Sequence, residues 1–319
     1  MAVLVTGGAG FIGSHFIERL LTADADARII CLDDFNDYYD PALKRSNAAQ
    51  FVRHERVELV EGSFCDPALV ETLFQRGDIR GVMHLGGYAG VRSSMTEPLI
   101  YERANVHGTL VLLETVRRNP VDRFVFVSSS TVYGAGSPVP FQEDARLGVP
   151  LSPYGITKRA AELLTLHYFQ AHGVPTVSMR PFSVYGPRMR PDLAILVFAT
   201  AIERGQPIPL FGDGSYRRDF THVSDVCAGL LAALDAPAVA GEAINLGHHE
   251  PIAMIELVRL LEQELGRQAV IDFRPAFAGD MPITCADLSK AERLLGYRPQ
   301  VSIAEGVRDF VRWFRSQRS

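Results

Sequence analysis

The sequence is poor in the features that mark secreted, metal-bound or nucleic-acid-binding proteins. It has four cysteines in 319 residues (Cys31, Cys65, Cys227 and Cys285), widely spaced and with no Cys-x-x-Cys. That pattern argues against a disulfide framework or thiolate metal site and fits free thiols in a reducing compartment. Nine histidines are present, none at ligand spacing, so no metal is expected. Basic residues are not in excess: 32 Lys and Arg against 37 Asp and Glu leave a net charge of −5, with no footprint for nucleic acid. No apolar run approaches the ~18–20 residues of a membrane span. The first strand-like run begins at Ala2, which leaves no room for a signal peptide, so a cytoplasmic location is expected. Internal repeats and low-complexity tracts are also lacking.

What is present is a globular composition with strand and helix patterns in alternation. Hydrophobic residues make up 47% and charged residues 22%, enough apolar material for one large or two modest domains. Ala2-Val3-Leu4-Val5 is a short apolar strand. Thr6-Gly7-Gly8-Ala9-Gly10-Phe11-Ile12-Gly13 follows, and a helical pattern runs from Ser14 to Leu21. Strand, glycine turn and helix are the context in which a dinucleotide fingerprint carries meaning. The glycines permit a tight turn and close backbone approach to a pyrophosphate, and the helix N-terminus faces its charge. A second strand, Arg28 to Leu32, ends in Asp33, twenty residues after Gly13. A carboxylate there bonds the adenosine ribose hydroxyls and repels a 2′-phosphate, favouring NAD over NADP. The plainer alternative for Asp33 is a polar residue ending a strand.

Further strands are expected at Val57–Glu61, Val82–Leu85, Arg123–Val127 and Thr176–Arg180, with helices near 67–76, 100–118 and 154–172 between them. Such alternation predicts an α/β fold, a Rossmann-type doubly wound parallel sheet whose ligands bind beyond the carboxyl ends of the strands. Gly86-Gly87 and Ser128 to Thr131 fall at that edge. After Arg180 the texture shifts to helices and loops, with one strand-like run at Ala243–Leu246. The expected division is a cofactor domain of 1–180 plus about 220–249, and a smaller C-terminal α/β substrate domain of about 181–219 plus 250–319. Val301 to Phe314 is expected to form an amphipathic helix with Trp313 packed, and Arg315 to Ser319 to fray.

Tyr154 and Lys158 stand four residues apart in a helical pattern and project from one face. An ammonium beside a phenol favours the phenolate, a suitable base for a sugar hydroxyl. Taken alone, the pair also fits a surface tyrosine and a solvated lysine. Ser129 would lie at the same sheet edge, where it can converge with Tyr154.

With these residues in view, the chain resembles the extended short-chain dehydrogenase/reductases, in the NAD-dependent nucleotide-sugar epimerase/dehydratase branch. The resemblance rests on Thr-Gly-x-x-Gly-x-x-Gly at 6–13, Asp33, Ser129, Tyr154-x-x-x-Lys158 and Arg180-Pro181. Phe211-Gly212-Asp213-Gly214, Arg218-Asp219-Phe220-Thr221, Gly279-Asp280 and Ala286-Asp287 extend it over nearly the whole chain. Within that branch it is most similar to UDP-glucuronate 4-epimerases, through Asp33 to Pro41, Ala89 to Ser94, Val184 to Pro187 and Arg190-Pro191-Asp192. The resemblance implies NAD held by Gly7, Gly10, Phe11, Ile12, Gly13, Asp33, Phe64, Leu85, Gly86, Tyr154 and Lys158. It implies Tyr154 as base, Ser129 as its hydrogen-bond partner, Lys158 on the nicotinamide ribose, and a homodimer formed through helices near 100–118 and 154–172. For the UDP-sugar it implies Arg218 on the diphosphate, Phe211 at the uracil and Asp280 on a ribose hydroxyl. Arg92 faces either cofactor or substrate, and Arg217 equally suits a solvated neighbour.

A 4-keto hexuronate is a β-keto acid, so its carboxylate must be held away from the geometry that releases carbon dioxide. Ser129, Ser130, Thr131 and Ser183, with Arg190 nearby, are expected to do this; Ser130 and Thr131 alternatively satisfy only a turn. Some positions depart from the family pattern. Ser63 replaces an Asp associated with the adenine amino group, Gly86-Gly87-Tyr88 replaces Ala-Ala-Gln, and Ser129 and Ser183 replace Thr. Phe277 stands where glucose/galactose epimerases carry an Arg. Rival readings are a UDP-glucose 4-epimerase, then a decarboxylase or 4,6-dehydratase, for which Ser130 and Thr131 supply no acid, and last a non-catalytic NAD sensor.

Overall fold

The computed structural model describes residues 2–275 and 281–317. Seven short, largely buried strands form one parallel sheet: β1 (Ala2–Thr6), β2 (Arg28–Asp33), β3 (Val57–Glu61), β4 (Ile79–His84), β5 (Arg123–Val127), β6 (Thr176–Pro181) and β7 (Ala243–Leu246). Their order is β7-β6-β5-β4-β1-β2-β3. Parallel strands need crossovers, and helices on both faces bury their apolar runs. From β1 the chain builds outward through β2 and β3, then returns to place β4 on the other side of β1. The crossovers therefore diverge between β1 and β4, and a crevice opens at their carboxyl ends. Among the described residues, no helix is long and apolar enough to cross a membrane.

Two elements differ from the sequence expectation. The strand expected at Val82–Leu85 begins earlier, at Ile79, and its register against β1 shifts at Arg80, so Ile79 pairs with Ala2 and Gly81 with Val3. The expected single helix over 100–118 is three pieces: Pro98–Tyr101, a π-helical stretch at Glu102–Gly108, and Thr109–Arg118. Asn105, in the wide stretch, grips the backbone of Tyr88 through both its amide atoms, at 2.9 and 3.0 Å, and donates to Thr157 at 3.1 Å. Gly108 lets the Phe64 ring pack against the same stretch, where a Cβ would meet it at 2.3 Å. Irregular helical turns of this kind are frequent near functional sites.

The C-terminal part holds more strand than expected. Pro207–Phe211 pairs in parallel with Val270–Arg274, Val184–Tyr185 with Thr221–His222, and Arg217–Arg218 in antiparallel fashion with Ile252–Ala253. Pro207 and Pro209 masked the first pair, and two-residue strands carry no readable alternation. The last helix runs Ile303–Ser316, further than the fraying expected from Arg315, with Trp313 partly buried against the core.

One buried ion pair ties the helix Pro153–His172 to the sheet. Arg180 at the end of β6 donates from Nε to Glu162 at 3.1 Å and from a second nitrogen to the same carboxylate. Its third nitrogen donates at 3.0 Å to Tyr133, whose hydroxyl donates at 2.7 Å to Asn245 on β7. Removing one member leaves a buried charge unpaired, so Arg180→Met should destabilise by ~3–5 kcal/mol, and Arg180→Met/Glu162→Leu should recover most of that loss. Urea unfolding of the three proteins checks this; equal midpoints for the single variant and wild type would contradict it.

Candidate active site

The glycine turn after β1 is shaped by backbone contact. Gly7 has φ +66°, and a Cβ there would lie 2.8 Å from the Cα of Gly86, in the turn after β4. A Cβ on Gly13 would lie 2.2 Å from the carbonyl of Gly7. The helix Phe11–Ala23 therefore starts hard against the turn. Its N-cap, Gly10, makes no side-chain cap bond, so an anion can approach the N-terminal N–H groups. Asp33 lies buried at the end of β2 and accepts from the N–H of Ala9 and of Phe35, both at 3.0 Å. Burial pushes its carboxyl up, offset by the Phe35 bond and the Lys44 charge. Lys44 is in turn held by Asn36, at 3.0 Å to its carbonyl and 2.9 Å to its side chain.

A cleft of about 720 Å³ opens from this turn toward the C-terminal part. Gly7, Gly10, Phe11, Ile12, Gly13, Asp33, Phe64, Leu85 and Gly86 line its cofactor end. Ser129, Ser130, Thr131, Tyr154, Lys158, Ser183 and Arg190 line its middle, and Arg92, Phe211 and Arg218 its far wall. Asp280, Gly279 and Phe277 lie outside the described residues. The cleft has room for an extended ligand, and the turn at its cofactor end leaves no space for side chains, which suits a bound dinucleotide.

Tyr154 sits in the first turn of the helix Pro153–His172, which Ser152 caps by accepting from Gly155 N–H at 3.1 Å, with Pro153 at the first position. The Ser129 hydroxyl accepts from Thr131 twice, from its N–H at 3.2 Å and its hydroxyl at 3.0 Å, leaving the Ser129 proton to point at Tyr154. Burial pushes the phenol up, and the Ser129 bond and then the Arg190 charge pull it back. Lys158 does share the helix face, but its long chain carries Nζ to the carbonyl of Val127 at 2.8 Å, 4.9 Å from the Phe126 ring centre. Burial there lowers its pKa to about 8. The Arg190 charge also favours the phenolate.

Arg190 is fixed by Asp192, with bonds of 2.9 and 2.8 Å, and reaches the carbonyl of Ala89 at 3.4 Å. Its guanidinium lies 5.7 Å from the centre of the Tyr38 ring. Tyr38 also donates to Ala89 O and accepts from the Ser93 hydroxyl at 2.9 Å, which in turn accepts from Tyr101 at 2.6 Å. The Tyr101 ring packs edge-on to Tyr154 at 6.1 Å. Tyr38, Ser93, Tyr101, Lys44 and Asp192 were given no role from sequence. Tyr38, Ser93 and Asp192 fall in stretches singled out as a family likeness, but spacing alone carries no hint that they meet. Ser130 and Thr131 occupy a single 3₁₀ turn and also face the cleft, so the turn and a ligand role are compatible. Arg92 lies 4.1 Å from the centre of the Phe211 ring, on the far wall. Arg218 donates to the carbonyl of Arg217 at 2.8 Å while its side chain lines the cleft.

Comparison with known proteins agrees with this geometry. The profile of the NAD dependent epimerase/dehydratase family matches residues 3–247. A UDP-glucuronate 4-epimerase of Thermodesulfobacterium geofontis is 38% identical, over 97% of this chain and 95% of its own. UDP-glucuronate 4-epimerase 4 of Arabidopsis thaliana is 39% identical, over 99% of this chain and 76% of its own. The crystal structure of UDP-glucuronic acid 4-epimerase from Bacillus cereus with UDP-glucuronic acid and NAD superposes with a TM-score of 0.95 at 34% identity, covering 99% of this chain and 100% of that one. The chain belongs to the NAD-dependent epimerase/dehydratase family.

Proposed function

We propose that the protein is a UDP-glucuronate 4-epimerase, interconverting UDP-glucuronate and UDP-galacturonate through a 4-keto sugar. The observation that carries this reading is the lining of the cleft, which Ser129, Ser130, Thr131 and Ser183 share with Arg190, its guanidinium fixed by Asp192. The glycine turn, Asp33 and Lys158 would hold NAD, which when bound would supply a reversible hydride acceptor for the sugar C-4. Tyr154 removes the proton from the 4-hydroxyl and gives it back, with Ser129 steadying the charge that develops on the phenolic oxygen. Arg190 lowers the cost of that charge. UDP is gripped by Arg218 and Phe211, with Arg92 assigned to the substrate side by its contact with Phe211.

The 4-keto sugar decarboxylates when its carboxylate bond stands perpendicular to the ketone plane. Hydroxyl donors and one guanidinium can hold the carboxylate nearer that plane. UDP-glucose has no carboxylate for Arg190 and the cleft hydroxyls to hold, which ranks that substrate second. A dehydratase or decarboxylase expects an acid at Ser130 or Thr131, and none is there. The functional division follows the same lines: residues 1–180 with about 220–249 hold the cofactor, and about 181–219 with 250–319 hold the UDP-sugar.

A homodimer in the cytoplasm completes the proposal. Leu99, Ile156 and Leu163 are exposed by 80%, 53% and 59% on the helical stretches expected to pair, a cost that a second copy removes. Light scattering should give twice the chain mass of 35.1 kDa, and Leu163→Glu should halve it; a monomeric wild type contradicts the pairing. Tyr154→Phe should lower kcat by ~10²–10⁴-fold with the UDP-sugar still bound, since general acid–base catalysis is worth about that much. Arg190→Ala and Ser183→Ala should slow epimerisation or release UDP-pentose, followed by proton NMR. Unchanged rate and product ratio in both would remove the carboxylate pocket from the account.

A further inference from the structure

The loop that carries Arg190 is anchored to the helix that carries the cofactor turn. His15 and Glu18 lie on consecutive turns of the helix Phe11–Ala23. His15 donates from Nε2 to the carbonyl of Pro187 at 2.9 Å, and Arg188 donates to its Nδ1 at 2.8 Å. The same Arg188 nitrogen reaches the Glu18 carboxylate. Arg188 Nε also approaches His15 Nε2 at 3.3 Å, and burial with the Arg188 charge holds the His15 pKa down to about 4. Arg188 has φ +62°, a left-handed conformation that a long side chain rarely adopts. Such strain persists where the surroundings over-determine it, and it gathers at functional sites. Its neighbour Met189 is buried in the cleft wall, and Arg190 follows.

We propose that Arg188 is a positioning residue that sets product specificity, with His15 and Glu18 as its anchor. Resting on the reading above, the clamp aims Arg190 by fixing the backbone two residues before it. Arg188 touches neither sugar nor phenol; it acts through the loop. Without the clamp, Arg190 holds the carboxylate less firmly and the 4-keto sugar loses it. The bond from C-5 to the carboxylate carbon breaks, carbon dioxide leaves, and the bonding electrons pass into the C-4 ketone as an enolate. A proton from water then adds at C-5, and hydride return gives UDP-pentose. The clamp also joins the Arg190 loop to the helix whose N-terminus faces the cofactor, so the two are held as one unit.

Arg188→Gly is the informative variant, because glycine adopts φ +62° without strain and loses only the side chain. It should keep NAD binding and thermal midpoint near wild type, and it should raise the pentose fraction of the UDP-glucuronate products severalfold. Arg188→Lys should fall between the two, and Glu18→Gln, which keeps the helix side chain and removes its charge, should repeat the effect even if the glycine variant folds poorly. An unchanged product ratio in Arg188→Gly and Glu18→Gln, with the unaltered protein active, overturns this inference alone. A wild type that leaves UDP-glucuronate untouched overturns the parent reading and this one with it.

Discussion

Backbone meets backbone where the crossovers diverge between β1 and β4, and the rest of the site depends on that approach. A side chain on Gly7, just after β1, would strike the backbone of Gly86 after β4, and one on Gly86 would strike the Phe64 ring and the Thr6 hydroxyl. The approach holds the start of the cofactor helix against the sheet and brings the turn after β4 to the crevice. Phe64 packs on Gly86, and Asn105 pins the next residues from the irregular helix on the other side. One more bond from Asn105, to Thr157, connects this frame to the helix of Tyr154 and Lys158. Cofactor turn and catalytic helix are thus positioned by one contiguous set of contacts.

Electrostatics then divides labour among the cations. Lys158 is buried, reaches past Tyr154 to the sheet edge and has its pKa lowered. Arg190 keeps its charge through Asp192 and faces the phenol. A guanidinium remains charged where an ammonium titrates, so the arginine serves better as a permanent partner for a developing phenolate and a substrate carboxylate. Tyr38, stacked beneath that guanidinium, and the Ala89 carbonyl shared by both close the site on the side of the Asp33 loop.

Much of this was legible in the chain. The glycines, Asp33, Ser129, Tyr154 and Lys158 are local patterns whose spacing fixes their geometry, and six of the seven sheet strands were readable as apolar runs before the change of texture at Pro181. The pairing of Pro207–Phe211 with Val270–Arg274 was not legible, because it joins strands nearly sixty residues apart and one of them contains two prolines. The charge that Arg190 adds near Tyr154 was not legible for a similar reason. Helical spacing showed that Lys158 shares a face with Tyr154, but not how far its four-carbon stem reaches. Arg190 approaches from a loop thirty-six residues away, and no local period records it. The clamp of Arg188 on His15 and Glu18 joins stretches about 170 residues apart and is visible only in three dimensions.

The most direct measurement is proton NMR of UDP-glucuronate incubated with the purified protein, without and then with added NAD, beside a parallel incubation with UDP-glucose. The account predicts conversion to UDP-galacturonate with little pentose and no action on UDP-glucose. Turnover of UDP-glucose alone, or pentose as the main product from the unaltered protein, would contradict it.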